Sequence, residues 1–188
     1  MSLRRWKILS SHYVVRDRWV TLRADRCELP SGAVIDPYYV QEAQDWIQVV
    51  AFDTSERVLV TRQYRHAGGF VSTELPCGTV EAGETPEAAA RRELLEETGC
   101  SAAQLLALPA LSPNPARFAN RIHAFVATGT RAVQPAVKDE TEVIEFEFLP
   151  VQEVLGLIDA GGFPQALHIA SLFLALRTFD KLRIIGHL

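Results

Sequence analysis

The sequence predicts the α/β (α+β) class: strands and helices layered on one another, preceded by a small N-terminal β unit. Three observations carry this. Short runs of strand length, apolar or alternating, fill much of the chain. Residues 86–98 have helix signals at both ends, and two more helical patterns follow residue 150. The helices come after strands rather than in a separate block, which is the order of a layered sandwich.

The first 42 residues read as strands. Residues 19–25 alternate apolar and polar side chains, the period of a half-buried strand. Pro30, Ser31 and Gly32 form a turn signal, and residues 34–40 return. This hairpin unit, residues 1–42, buries too little to stand alone, so it packs on the rest of the chain or on a second copy. Residues 43–188 are expected to form the main domain. Its first strand, 46–52, is almost continuously apolar, suited to burial on both faces. Residues 58–60 and 70–72 read as further strands. Thr85 can cap the helix at 86–98, Pro86 suits its first position and Gly99 its exit. Residues 122–127 give another strand. Ile144, Phe146 and Phe148 alternate with Glu145 and Glu147 in a one-sided strand. Val151, Val154, Leu155 and Ile158 fall at helical spacing, and a last amphipathic helix runs from about 164 to 179.

Composition excludes several classes. Of 188 residues, 48% are hydrophobic and 22% charged, which excludes general disorder. Nineteen basic against 23 acidic side chains leave a net charge of −4, without the basic footprint of a nucleic-acid binder. An anionic ligand must then be met by local Arg or Lys, or by a bound cation. Cys27, Cys77 and Cys100 are odd in number and widely spaced, which argues against a disulfide framework and a Cys-rich zinc site. A reducing, cytoplasmic location is the expectation. No run approaches the roughly 20 apolar residues of a membrane span. The richest, 166–176, carries His168, and the N-terminus lacks a signal-peptide core. Neither nucleic acid nor membrane is an expected partner.

The chemistry concentrates on the first helix. Positions three and four apart share a helix face, so Glu93, Glu96 and Glu97 project together, and Ala89 and Ala90 leave them unshielded. Each like-charge pair costs roughly 0.2–0.5 kcal/mol when solvated. A hard divalent cation such as Mg²⁺ removes that cost, because it takes carboxylate and phosphate oxygens as ligands.

The surrounding spacing is G-x5-E-x7-R-E-U-x-E-E-x-G-U, where U is a bulky aliphatic residue. Gly78, Glu84, Arg92, Glu93, Leu94, Glu96, Glu97 and Gly99 stand in register, and only the last position departs, as Cys100. This is the Nudix box, and the segment resembles the Nudix hydrolase family. The resemblance implies an α/β/α sandwich with a mixed sheet. It implies metal ligation by Glu93, Glu97, Glu96 and the backbone carbonyl of Cys77, with Mg²⁺ as cofactor and Mn²⁺ as a possible substitute. It gives Arg92 the task of orienting the glutamates, and Glu84, with Gly78 and Gly99, that of supporting the site.

Residues outside the box narrow the resemblance. Arg62-Gln63-Tyr64-Arg65, followed by Glu74-Leu75-Pro76-Cys77-Gly78, is similar to segments of ADP-ribose pyrophosphatases and related nucleoside-diphosphate-sugar hydrolases. Pro115 stands near a proline of that subgroup. The N-terminal unit is similar too, where it implies a homodimer and part of the nucleotide site. Arg65 is the expected phosphate contact, since guanidinium pairs bidentately with phosphate. Glu74 either bonds adenine or ribose or pairs with an arginine. Trp46 either stacks on a base or belongs to the core. The resemblance places a general base in the loop before residue 144, at Glu140 with Glu142 as alternative. Ala116 and Asn120 depart from the subgroup, and Arg117 and Arg121 add positive charge there.

The expected activity is Mg²⁺-dependent cleavage of a P–O–P bridge in a small nucleotide substrate, ADP-ribose or a similar nucleotide sugar first. Products are a nucleoside monophosphate and a sugar phosphate. Nucleoside triphosphates and dinucleoside polyphosphates are the alternative substrates. A non-catalytic nucleotide-sugar sensor is a further alternative, and the complete set of box carboxylates weighs against it.

Overall fold

The computed structural model describes residues 3–137 and 143–178. The contacts divide the chain into two compact units, Met1–Asp45 with Ser112–Arg121, and Trp46–Leu111 with Ile122–Leu188.

The first unit is an antiparallel three-stranded sheet of β1 (Lys7–Arg16), β2 (Thr21–Glu28) and β3 (Val34–Glu42), with β2 in the middle. The sequence delimited the second and third of these strands; β1 is an addition. Arg23 joins Asp25 and Glu42 across the sheet, and Ser11 Oγ donates to Asp25. The 112–121 segment joins this unit through backbone bonds. Gln41 N–H donates to the Arg117 carbonyl and Ala119 N–H to the Gln41 carbonyl. Asn120 Nδ2 donates to the Gln44 carbonyl at 2.9 Å.

In the second unit, β4 (Trp46–Ala51), β5 (Val58–Arg65), β6 (Phe70–Glu74) and β7 (Cys77–Thr79) lead into α1 (Pro86–Thr98). Then come β8 (Cys100–Ser101), β9 (Gln104–Ala107), β10 (Ile122–Thr128), β11 (Arg131–Ala132), β12 (Glu145–Leu149), α2 (Val151–Asp159) and α3 (Ala166–Thr178). One sheet has the order β7-β4-β10-β9, another β12-β5-β6, and β8 pairs with β11. The first is mixed: β4 runs parallel to β10, while β7 and β9 are antiparallel to their neighbours.

The alternation of side chains along the central strands makes three layers. Ile47, Val49 and Ala51 of β4, with Phe125 and Ala127 of β10, join Ala89, Ala90 and Leu94 of α1 in one core. Val50, Phe52, Ala124 and Val126 point the other way and join Val154 of α2 with Leu172 and Leu176 of α3. The nearly continuous apolar run in β4 is therefore the signature of a strand with a helix on each face. Its one polar residue, Gln48, is buried and accepts from Ser171 Oγ of α3 at 2.6 Å. The alternating strand before α2 does form, and Glu145 and Glu147 meet Arg62 of β5 on its outer face.

Candidate active site

The helix that carries the acidic residues is fixed at both ends. Thr85 Oγ1 accepts the Ala88 N–H and Pro86 occupies the first turn. The chain leaves through Gly99 at φ 66°, with its N–H bonded to the Leu95 carbonyl. A β-carbon at Gly99 would also lie 2.0 Å from the Gln134 carbonyl oxygen, so glycine is required there for two reasons.

Arg92 organises the face of α1 away from the core. Its Nε and Nη2 take the two oxygens of Glu84 at 3.0 and 2.9 Å. Nη1 donates to Glu93 at 2.8 Å and to Glu96 at 3.1 Å, and Nη2 also reaches the Thr79 carbonyl at 2.9 Å. These bonds, those of Glu84 first, raise the Arg92 pKa and hold the Glu84 carboxyl below its ordinary value. Arg92 thus ties the helix to the loop that precedes it. Glu97, on the next turn, is buried and accepts the Cys77 N–H at 3.1 Å. Glu93 lies against the neighbouring residue: a β-carbon on Gly78 would fall 2.0 Å from its Cδ. Gly78 is therefore the gap through which a carboxylate reaches the backbone.

The result is a crowded anionic surface. Glu84, Glu93 and Glu96 bond to Arg92, and Glu97 closes on Cys77. One guanidinium, that of Arg92, thus serves three of the carboxylates on this face. The expected ligand set is all oxygen, three carboxylates and the Cys77 carbonyl, a set that suits Mg²⁺ or Mn²⁺. The surplus of negative charge is what a divalent cation would offset.

A second cluster lies on the other side of Cys77. Glu74, Cys77 and His168 bring one carboxylate oxygen, the thiol sulfur and one ring nitrogen within 4.8 Å of one another, all buried. Hydrogen bonds already fill it. Arg65 Nε and Nη2 hold the two Glu74 oxygens at 3.0 and 2.6 Å. Leu75 N–H donates to His168 Nδ1 at 2.9 Å. That bond assigns the ring proton to Nε2, which faces Glu74 at 3.8 Å. Burial lowers the His168 pKa to about 4, so the ring is neutral at pH 7. Burial would raise Glu74, but the Arg65 hydrogen bonds and the charges around it leave its pKa lowered. Burial, reinforced by Glu97 and Glu74, raises the Cys77 thiol well above 9. A guanidinium, a protonated thiol and a ring with its lone pair in use are poor hosts for a cation.

The sequence-selected residues thus fall into groups. Glu84, Arg92, Glu93, Glu96, Glu97, Cys77 and Gly78 come together around α1. Of the two roles open to Glu74, the structure shows the pairing, and its partner is Arg65. That leaves Nη1 of Arg65 without a partner among the described residues. Trp46 is half-buried and lines a cavity with Arg65. Pro115 and Arg117 are exposed residues of the other compact unit, where Arg121 N–H bonds Asp45. Glu140 and Glu142 lie outside the described residues. The reading from sequence missed His168, which appeared only as a polar residue in an apolar run. It holds the Leu75 N–H, and hence the segment between Glu74 and Cys77.

Residues 44–169 match the NUDIX domain. The chain belongs to the Nudix family. Residues 6–41 also match the nucleoside diphosphate sugar hydrolase N-terminal domain. This Nudix hydrolase is 30% identical over 153 residues to a methanol dehydrogenase activator from Bacillus methanolicus, covering 81% of this chain and 82% of that one. It is 30% identical over 151 residues to an ADP-ribose pyrophosphatase from Mycobacterium tuberculosis, covering 79% and 72% of the two chains. A crystal structure of an ADP compounds hydrolase has the same fold, with a TM-score of 0.84, full coverage of both chains and 24% identity.

Proposed function

We propose that this Nudix hydrolase cleaves the P–O–P bridge of a nucleoside diphosphate linked to a sugar, with ADP-ribose as the first candidate. The observation that carries the reading is the acidic face of α1, where carboxylates outnumber their guanidinium and adjoin a backbone carbonyl. Similarity to an ADP-ribose pyrophosphatase and the match of the N-terminal unit support the choice of substrate class.

Glu93, Glu96, Glu97 and the Cys77 carbonyl are the proposed metal ligands. A bound Mg²⁺ supplies Lewis-acid stabilisation of the phosphoryl oxygens and acidifies water. Arg92 holds Glu93 and Glu96 in place, and Glu84 holds Arg92. Cys77 contributes backbone only, since its thiol is buried beside Glu74 and Arg65. Arg65, fixed by Glu74, presents Nη1 to a phosphate oxygen as a single donor rather than a fork. Glu140, with Glu142 as alternative, is the proposed base that takes the proton from water. Pro115 is a proposed substrate contact by resemblance alone.

The N-terminal sheet supports a homodimer. All ten residues of β1 are exposed, including Ile8, Tyr13, Val14 and Val15 at 41–54%. A strand that buries neither face gains little from folding, and a second copy is the partner this unit calls for. Light scattering of the active protein tests that: a dimer mass is expected, and a monomer mass excludes it.

The activity is tested by incubation with Mg²⁺ and a panel of nucleotide sugars, nucleoside triphosphates and dinucleoside polyphosphates, with products identified. Release of a nucleoside monophosphate and a sugar phosphate is the expected result. Cleavage of triphosphates alone would contradict the assignment. Glu140→Gln is expected to slow turnover more than Glu142→Gln, and the reverse order moves the base to Glu142.

A further inference from the structure

The backbone that carries the Cys77 carbonyl changes sheets just before it. Glu74 ends β6 in one sheet and Cys77 begins β7 in another, with Leu75 and Pro76 between them. A buried segment that leaves its ladder must find other hydrogen-bond partners. Leu75 is buried, and its N–H donates to His168 Nδ1 of α3 at 2.9 Å. Pro76 has no N–H to satisfy, and its carbonyl accepts the Val49 N–H of β4 at 2.9 Å. That bond sets the phase of the ladder. Cys77, opposite Gln48, takes the intervening position, where N–H and C=O both turn away from the partner strand. The Cys77 N–H accordingly meets Glu97 at 3.1 Å, and its carbonyl leaves the strand on the same side.

Helix α3 holds this point from two directions. His168 and Ser171 are three positions apart, so they share a helix face, and both are buried. His168 bonds Leu75, two residues before Cys77. Ser171 Oγ donates to Gln48 Oε1 at 2.6 Å, and Gln48 is the residue that faces Cys77 across the β4–β7 ladder. Adhesion of α3 to the sheet is already supplied by Leu172, Ala175 and Leu176 in the apolar core. Apolar packing has no direction, whereas a hydrogen bond fixes distance and angle. Two buried polar bonds on either side of one residue therefore set its position. The carboxylates of α1 lie across the same sheet, on the face opposite to α3.

We propose that His168 and Ser171 are positioning residues for the reaction. From α3 they set the place of the Cys77 carbonyl against the carboxylates of α1, and so the strength with which the site holds its metal. This rests on the function proposed above, in which that carbonyl is a metal ligand. Each side chain acts through the residue it holds rather than on the ion.

The test reads Mg²⁺ affinity by calorimetry on the full chain, with and without AMP, beside the Mg²⁺ dependence of ADP-ribose cleavage. His168→Leu removes the acceptor and is expected to weaken Mg²⁺ binding and lower kcat about tenfold each, the kcat loss being partly regained at higher Mg²⁺. His168→Asn returns an oxygen near Nδ1 and should stay within about threefold of the wild type. Ser171→Ala, a smaller truncation that serves if His168→Leu does not fold, should weaken Mg²⁺ about threefold. Leu176→Ala is the control. It loosens α3 in the same core without touching the Cys77 segment, and should keep Mg²⁺ affinity within about twofold. Wild-type Mg²⁺ affinity in both His168→Leu and Ser171→Ala overturns the proposal. So does an equal loss in Leu176→Ala, which would make any loosening of α3 sufficient. Calorimetry needs no turnover. A wild type that cleaves no nucleotide sugar, yet shows these shifts in Mg²⁺ affinity, therefore refutes the activity and keeps the positioning.

Discussion

Two guanidinium–carboxylate clusters flank Cys77, and they differ in one respect. Around Arg92 the carboxylates Glu84, Glu93 and Glu96 crowd a single positive charge, with Glu97 beside them. Around Arg65 one carboxylate meets one guanidinium, and a neutral imidazole completes the set. The first cluster sets three carboxylates on one guanidinium, and it is the place proposed for a cation. The second is complete, so it positions backbone and shapes a cavity. Similar residue types thus give a proposed metal site in one place and a scaffold in the other.

The largest effect is expected where the surplus charge is removed. Glu97→Gln keeps the shape of the side chain but loses a proposed metal ligand. Turnover with Mg²⁺ should fall by roughly 10²–10³-fold with the melting temperature little changed. Wild-type kinetics in this variant would move the metal elsewhere.

Gly78→Ala attacks the same cluster through sterics. Its β-carbon would lie 2.0 Å from Glu93, so the carboxylate or the loop must shift. A loss of at least tenfold in kcat/KM is expected, with about 1–3 kcal/mol of destabilisation in urea unfolding. A fully active, fully stable variant would show that Glu93 need not approach the backbone.

In the balanced cluster the prediction concerns stability. His168→Leu leaves the buried Leu75 N–H without its acceptor and should cost about 1–3 kcal/mol. His168→Asn places an oxygen near the lost Nδ1 and should recover part of it. Equal losses in the two variants would mean that packing, rather than the acceptor, is what His168 supplies.

The smallest effect is a pH dependence with a defined sign. The folded His168 pKa is about 4 against an unfolded value near 6.5. Between those values the unfolded chain binds more protons, so stability falls as the pH falls from 6.5 towards 4. From pH 7 to pH 5.5 this contributes a loss of roughly 1.2 kcal/mol. Glu74 and Glu84, with lowered pKa values, lose their contributions as the pH drops further, through their folded pKa values. His168→Asn should therefore show a flatter profile above pH 5 than the wild type, measured by urea unfolding. Parallel profiles would remove His168 as the cause.

The acidic cluster was legible in the sequence because it is local. Helical spacing places Glu93, Glu96 and Glu97 together, and Arg92 with Glu84 lies within one loop and helix. The layering was legible in β4, whose unbroken apolar run records a helix on each side. The balanced cluster was hidden because its bonds span distance. His168 meets Leu75 across 93 positions. Arg65 and Glu74 share a face of the β5–β6 hairpin without being opposed: Arg65 pairs with Phe70, and Glu74 with Thr61. Strand β1 was not delimited because every residue in it is exposed, and an unburied strand is under no pressure to alternate.

The central claim is that the surplus charge around Arg92, and not the cluster at His168, holds the cation. Calorimetric titration of the full chain with Mg²⁺, with and without AMP, tests it in wild type, Glu97→Gln and His168→Asn. The account predicts saturable binding in the wild type, lost in Glu97→Gln and kept in His168→Asn. No binding in the wild type under either condition, or binding that survives Glu97→Gln and disappears with His168→Asn, would contradict it.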